Sequence, residues 1–441
     1  MRVRLFVGLM IAFLASGVVS AQMPQRRELR QENWKHCKSE DPDRATAGCS
    51  PLIASGKEVG SKVGQASYER ALAYAHRGDY DHALRDINQA LQLDSGSADV
   101  FYARGLIYAN KSDNDKAILD YDQALRLNPS LANAVYGRGI AYSNKGDYAS
   151  AIRDYDQALR LKPAFADAFY GRGLAYMRKG DYDRAVQDYD QALRIDPTYL
   201  PALTYRGWCH AQKGDYEGAI RDYGEALKQN PDSADAFFNR GWAYARQDDY
   251  EAAIQDYDRA LQLNPNYADA FYDRGLAYDS EGDHGRAIQD YDQALRLKPG
   301  VAESFYGRGL AYMRQGDYDR AIQDYDQALR INPTYAAALN NRGWCYARNS
   351  DYGHAIKDYD QALYLNPSLI SAWGNRSAAY AHSGDLRAVT DYGRWLRLRF
   401  GILGLSIRTS LFVLALVLGI RMNRFSRRSV RVKGVGRLGF K

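Results

Sequence analysis

The sequence predicts an all-α solenoid of tandem helix-turn-helix units, and three observations carry that prediction. From residue 64 to about residue 399 the 441-residue chain repeats every 34 residues, and Tyr170–Tyr199 nearly duplicates Tyr306–Tyr335. Within each period, small residues recur where two helices would touch, and aromatic residues recur around them. A proline closes most periods, and the residue before a proline is pushed out of the helical region. A unit this short cannot bury its apolar face alone, so the units must stack.

Counting Ala166 as position 1 places Gly173 at 8, Tyr176 at 11, Ala185 at 20, Tyr189 at 24, Ala192 at 27 and Pro197 at 32. Glycine and alanine at 8 and 20 let two antiparallel helices approach closely. Aromatic and aliphatic residues at 4, 11, 24 and 28 fill the space around that contact. Gly180-Asp181 is the expected turn, with Asp181 or Asp183 at the positive start of the second helix. Units begin at Gly64, Ala98, Ala132, Ala166, Leu200, Ala234, Ala268, Ala302, Ala336 and Ile370. The first and last are worn: Ala71 and Ser377 replace the glycine of position 8, and one residue is lost before Val389. A longer period of 136 residues pairs Trp208 with Trp344 and Cys209 with Cys345, as duplication of a four-unit block would do.

This pattern is similar to the tetratricopeptide repeat, with small-Gly-Tyr in the first helix and Ala, aromatic and Pro in the second. The resemblance implies a right-handed superhelical α-solenoid whose first helices line a groove, with positions 2, 5, 6, 9, 12 and 13 facing it. Carried over, it makes Tyr102, Tyr136, Tyr170, Phe238, Tyr272 and Tyr306 groove residues at position 5, and Trp208, Trp242 and Trp344 at position 9. It adds Asp167 and Asp235 at position 2 and Arg178 and Arg314 at position 13. Aromatic side chains flanked by both charges suit an extended or helical peptide; the other reading has the position-5 rings stack only on neighbouring repeats. A clamp for a C-terminal carboxylate is not expected. Asn341 and Asn375 hold position 6, but position 2 is Glu303, Ala337 and Ser371 instead of lysine.

Position 7 is arginine in every unit, as in Arg172 and Arg308, and position 23 is aspartate in every full unit, as in Asp188 and Asp324. The common form of the repeat is apolar at both. An Arg–Asp ladder within or between repeats is the expected reading; a row of anion-binding arginines is the other.

Residues 1–21, with two arginines before the apolar run Leu5–Val19, read as a secretory signal peptide; an uncleaved anchor is the other reading. Residues 22–63 form a helical segment containing Cys37 and Cys49. Laid on the repeat register, Asp41–Ala45 matches Asp181–Ala185, which puts Cys49 at position 24 and Cys37 at position 12 of a degenerate helix. A disulfide between them suits an exported protein; two buried thiols are the alternative. Residues 400–420 are a candidate transmembrane helix, or a cap on the last repeat, and residues 421–441 are a basic tail. Spanning through 402–420 would leave the C-terminus cytoplasmic and the array in the bacterial periplasm or cell envelope.

The net charge of +6 is unevenly placed: residues 1–63 carry +4 and residues 400–441 carry +9, which leaves the repeats at −7. An acidic array argues against nucleic acid, and the basic tail suits anionic lipid. No catalytic constellation stands out. The Gly-Arg-Gly strings lie inside helices, the acidic strings lack a calcium loop, and the histidines share no register. No cofactor or metal is expected, and the chain reads as no enzyme. The function expected is a protein–protein interaction scaffold of the cell envelope with a protein or peptide in its groove; the alternative is an envelope polysaccharide on the aromatic rings. Self-association through the ends is left open.

Overall fold

The structure, a computed structural model, describes residues 27–56, 58 and 60–400. The signal-like segment, the apolar run 402–420 and the basic tail lie outside them. Among the described residues the fold is all-α, and no helix is long and apolar enough to cross a membrane. The chain divides into two compact units after Asp222. The first holds α1 (residues 27–37), α2 (Pro42–Ala54), α3 (Gly60–His76), α4 (Tyr80–Leu93), α5 (Ala98–Asn110), α6 (Asn114–Leu127), α7 (Ala132–Asn144), α8 (Tyr148–Leu161), α9 (Ala166–Arg178), α10 (Tyr182–Ile195) and α11 (Leu200–Gln212). After α12 (Tyr216–Gln229), the second continues with α13 (Ala234–Arg246), α14 (Tyr250–Leu263), α15 (Ala268–Glu281), α16 (His284–Leu297), α17 (Ala302–Gln315), α18 (Tyr318–Ile331), α19 (Ala336–Arg348), α20 (Tyr352–Leu365), α21 (Ile370–His382) and α22 (Arg387–Phe400). Each repeat from Ala98 onward is one odd-numbered helix followed by one even-numbered helix. The first repeat's leading helix starts at Gly60, ahead of the expected Gly64.

Local chemistry sets these boundaries. Gly180 turns the chain with φ of 78°, in the left-handed region that a Cβ disfavours, and Asp181 then caps α10 by accepting from the Arg184 N–H. Helix α10 stops at Ile195, two residues before Pro197. The pair is held by a ring against a glycine. A Cβ on Gly173 would lie 2.8 Å from the Tyr189 ring, and one on Gly171 would lie 2.9 Å from Tyr155 of the preceding repeat. Each tyrosine of position 24 is thus seated between its own repeat and the next, and Tyr155, Tyr189, Tyr257 and Tyr325 are fully buried. Burying one such ring stabilises the fold by about 1.5–3 kcal/mol.

Beside this contact runs the Arg–Asp ladder. The Arg172 guanidinium donates from Nε and Nη2 to both oxygens of Asp188, at 2.9 and 2.6 Å, and from Nη1 to Asp156 of the preceding repeat. Arg308 does the same with Asp324, at 2.8 and 2.6 Å, and with Asp292. Each of these rungs therefore joins the two helices of one repeat and also reaches the repeat before it. In the shortened last repeat Arg376 finds Asp391, 15 residues on instead of 16, so the rung survives the deletion. Burial holds Asp188 and Asp324 above the ordinary carboxylate value, with the paired guanidinium only partly offsetting it. The ladder's main contribution is accordingly register and not net stability.

The N-terminal segment joins the same scheme. Helices α1 and α2 form a further hairpin, with Asp41 capping α2 and the Cys37 and Cys49 sulfurs bonded across it. Gly48 allows that approach, since a Cβ there would lie 2.5 Å from the Cys37 nitrogen. Arg70 donates to Asp86 and, at 3.0 Å, to the Ser50 hydroxyl of α2, which stands where later repeats carry the position-25 carboxylate. Cys209 and Cys345 are free and buried, and burial pushes both thiols up to about 12. That keeps them protonated and unreactive.

One rung is incomplete. Arg240 binds Asp256 at 2.7 Å through both Nε and Nη2, but the residue at position 25 of the preceding repeat is Gly224. A Cβ there would meet only the Arg240 Nη1, at 3.8 Å. Gly224→Asp should therefore raise thermal stability by about 1 kcal/mol, through the restored pair and the loss of a helical glycine, as followed by circular dichroism. Arg172→Ala should cost about 3–5 kcal/mol, because it strands the buried Asp188 carboxylate. Arg172→Met combined with Asp188→Leu should recover most of that loss.

Candidate functional site: the face of the first helices

First helices of successive repeats touch one another within each unit, as α7 does α5 and α9, and as α15 does α13 and α17. The surface they share carries the positions expected to face a partner. The rings of position 5 lie there half-buried, and each stacks on the position-24 tyrosine of its own repeat. Tyr102 meets Tyr121 at 6.0 Å between centroids, Tyr136 meets Tyr155 at 5.8 Å, and Tyr170 meets Tyr189 at 6.0 Å. Phe238, Tyr272 and Tyr306 meet Tyr257, Tyr291 and Tyr325 in the same way, at 5.9, 5.8 and 5.8 Å. Burial pushes the Tyr136 and Tyr272 hydroxyls up to about 12. One side of each ring thus packs on its repeat, and part of the other stays accessible.

A second set of rings escaped the sequence reasoning. Position 34 supplies Phe165, Tyr199, Tyr267 and Tyr335, and these pack on Tyr136, Tyr170, Phe238 and Tyr306 at 4.8, 5.4, 4.9 and 4.8 Å. The Tyr199 hydroxyl donates to Asp167 at 2.8 Å, so Asp167 is partly engaged within the chain. The recurrent Thr-Tyr or Asn-Tyr after proline was the available signal, hidden because those residues fall in the loop between repeats.

The tryptophans of position 9 are half-buried, and Trp208 and Trp344 lean on the preceding repeat. Trp208 sits edge-on to Tyr182 at 5.6 Å and Trp344 edge-on to Tyr318 at 5.5 Å. Arg348 lies over Trp344 at 5.5 Å, and Arg246 over Trp242 at 5.6 Å. Of the charged residues expected to face a partner, Asp235 and Arg178 are exposed. Arg314 is instead paired with Asp279, a buried acid that also meets His284 at 2.7 Å. The sequence showed Asp279 where other repeats carry alanine, serine or methionine, and His284 where most carry tyrosine. Read together, the two substitutions would have marked Arg314 as internally engaged. Asn341 and Asn375 are likewise occupied: Asn341 donates to the Tyr306 hydroxyl, and Asn375 to Asn340, both at 3.1 Å.

Models of the tetratricopeptide repeat match residues 64–97, 98–131, 136–199, 206–268, 240–299, 302–335 and 336–369. The chain belongs to the tetratricopeptide repeat family. This is a family of repeat scaffolds for interaction with other proteins, without catalytic activity of its own. Among solved structures, MamA is 34% identical, covering 37% of this chain and 96% of its own, with a TM-score of 0.36. YrrB, described as a TPR protein with an unusual peptide-binding site, is 26% identical over 43% of this chain and 97% of its own, with a TM-score of 0.39. Yeast Tom70 is 15% identical over 83% of this chain and 99% of its own, with a TM-score of 0.38. No curated protein sequence matches significantly.

Position 6 of this tetratricopeptide face varies from repeat to repeat, and it is acidic at Glu69 and Asp273. Position 6 is Gly171 or Gly307 in some repeats and Asn239, Asn341 or Asn375 in others, but it is Asp273 on α15. Burial beside Tyr272 and Tyr257, with the charge of Asp269 adding to it, pushes the Asp273 carboxyl up to about 7. The folded protein therefore favours the protonated acid, whereas the unfolded chain releases that proton near pH 4. Stability should fall as pH rises from about 4 to about 7 and level off above that. Asp273→Asn should relieve up to about 4 kcal/mol at pH 8 and nothing below pH 4, read as the pH dependence of the thermal midpoint of the two proteins.

Proposed function

We propose that the protein is an interaction scaffold of the cell envelope that holds a protein or peptide segment across the face of its first helices. The observation that carries the reading is the line of half-open rings on that face. Position-24 tyrosines are fully buried, yet the aromatic residues of positions 5 and 9 remain partly accessible in repeat after repeat. Large aromatic side chains with one face packed and one face free are what a binding surface uses to hold a segment with little entropic loss. The placement in the envelope is supported by the joined Cys37 and Cys49, which suit an oxidising compartment, and by the signal-like N-terminus. The apolar run 402–420 and the basic tail suit a membrane tether with a cytoplasmic C-terminus.

Capture with the tagged full-length protein from envelope extract, followed by tryptophan fluorescence with the recovered partner, tests this reading. A defined protein should be recovered, and Trp344→Ala and Trp242→Ala should each weaken it about tenfold or more while leaving the helical signal intact. Fluorescence that responds to envelope glycans, with no protein recovered, would transfer the face to a polysaccharide. Fractionation of a tagged protein with protease protection of each terminus tests signal cleavage, anchoring and orientation together.

A further inference from the structure

Asp273 is a half-buried acid on the face of the first helices, where the position-2 acids of α15 and its neighbours, Asp235, Asp269 and Glu303, are exposed. It forms no hydrogen bond or ion pair with any described residue. Its neighbour Asp269 is exposed and already has its own cation, Lys298, at 2.8 and 2.9 Å from its two oxygens. The other acid at position 6, Glu69, lies under the field of Lys38 in the N-terminal segment, so there the chain supplies the cation itself. The flanking repeats add exposed acids at position 2, Asp235 and Glu303, and among the described residues no basic side chain pairs with Asp273. The tyrosines that feel its charge are Tyr257, Tyr267, Tyr272 and Tyr291, of which Tyr267 and Tyr272 are half-buried.

We propose that the partner segment lying across α13, α15 and α17 places a lysine or arginine side chain over Asp273. The inference rests on the peptide-binding reading above and names the chemistry of what is bound. A half-buried carboxylate without a partner is destabilising, and an incoming cation relieves this while its methylene stem covers the half-buried rings of Tyr267 and Tyr272. A neutral donor would be served equally well by the asparagines that hold this register in other repeats, so a carboxylate here selects for positive charge. Asp235 and Glu303 steer the same segment by their field, without direct pairing.

The test uses a display library of random twelve-residue peptides against the immobilised full-length protein, with synthetic copies of the enriched peptides titrated in solution. A lysine or arginine should be fixed at one peptide position. Asp273→Asn should weaken these peptides at least about tenfold, and Asp235→Asn by no more than about threefold. Exchanging the fixed basic residue for norleucine should abolish the difference between the wild-type protein and Asp273→Asn. The peptide substitution alters neither protein, so a general effect of Asp273→Asn on folding would persist with the norleucine peptide, whereas loss of the pair would not. Peptides that bind without a fixed basic residue, or that bind Asp273→Asn equally well, overturn this inference and leave the peptide-binding reading standing. Failure to enrich any peptide on either protein overturns both.

Discussion

Apart from Arg240, each arginine of position 7 holds three pieces of chain at once: its own helix, the second helix of its repeat, and the second helix of the hairpin before. The guanidinium suits this because its donors are fixed in a plane, two in a fork for one carboxylate and a third pointing away. Within each unit, from Arg70 to Arg206 and from Arg274 to Arg376, the same geometry sets how far one repeat is offset from the next. The tyrosine of position 24 can be buried against glycine only if that offset is kept, since the ring has a Cβ-free wall on one side and the following repeat on the other. Electrostatics places the repeats, and apolar burial holds them where they are placed.

Much of this was legible because a repeating sequence is its own control. Comparing ten copies separated the positions that never change from those that do, and the invariant Arg and Asp announced a pair before any distance was known. The carboxylate of position 25 was harder to see. Asp156, Asp190 and Asp292 look like solvated acids on a helix, and only the third dimension brings each against the arginine of the following repeat. The rings of position 34 were hidden for a related reason: they sit in a loop, where periodicity ceases to report which way a side chain points. The Cys37–Cys49 pair was accessible because the segment before the array keeps the register, with Ser50 standing in for an acid.

The face of the first helices is less regular than the scaffold beneath it, and for a physical reason. Scaffold positions are constrained by two neighbours at once, so any change there must be matched. A residue such as Asp273 or Trp344 has protein on one side only, and its other side is free to suit a partner. The internal pairing of Arg314 with Asp279 and His284 shows the opposite case, in which a residue of the face has been drawn into the body. Chemistry at the surface therefore has to be read by subtracting what the chain already satisfies.

The constant reach of the rungs has a consequence for how the molecule is made. Almost every arginine meets its partners 16 residues away along the chain in either direction, and in the last repeat the forward reach is 15. Contacts so close in sequence carry little loop-closure cost, and folding can begin in any repeat and spread to its neighbours. A chain emerging end first from a ribosome or a translocation pore could complete each rung soon after its second helix appears. The far end need not exist for the near end to be native.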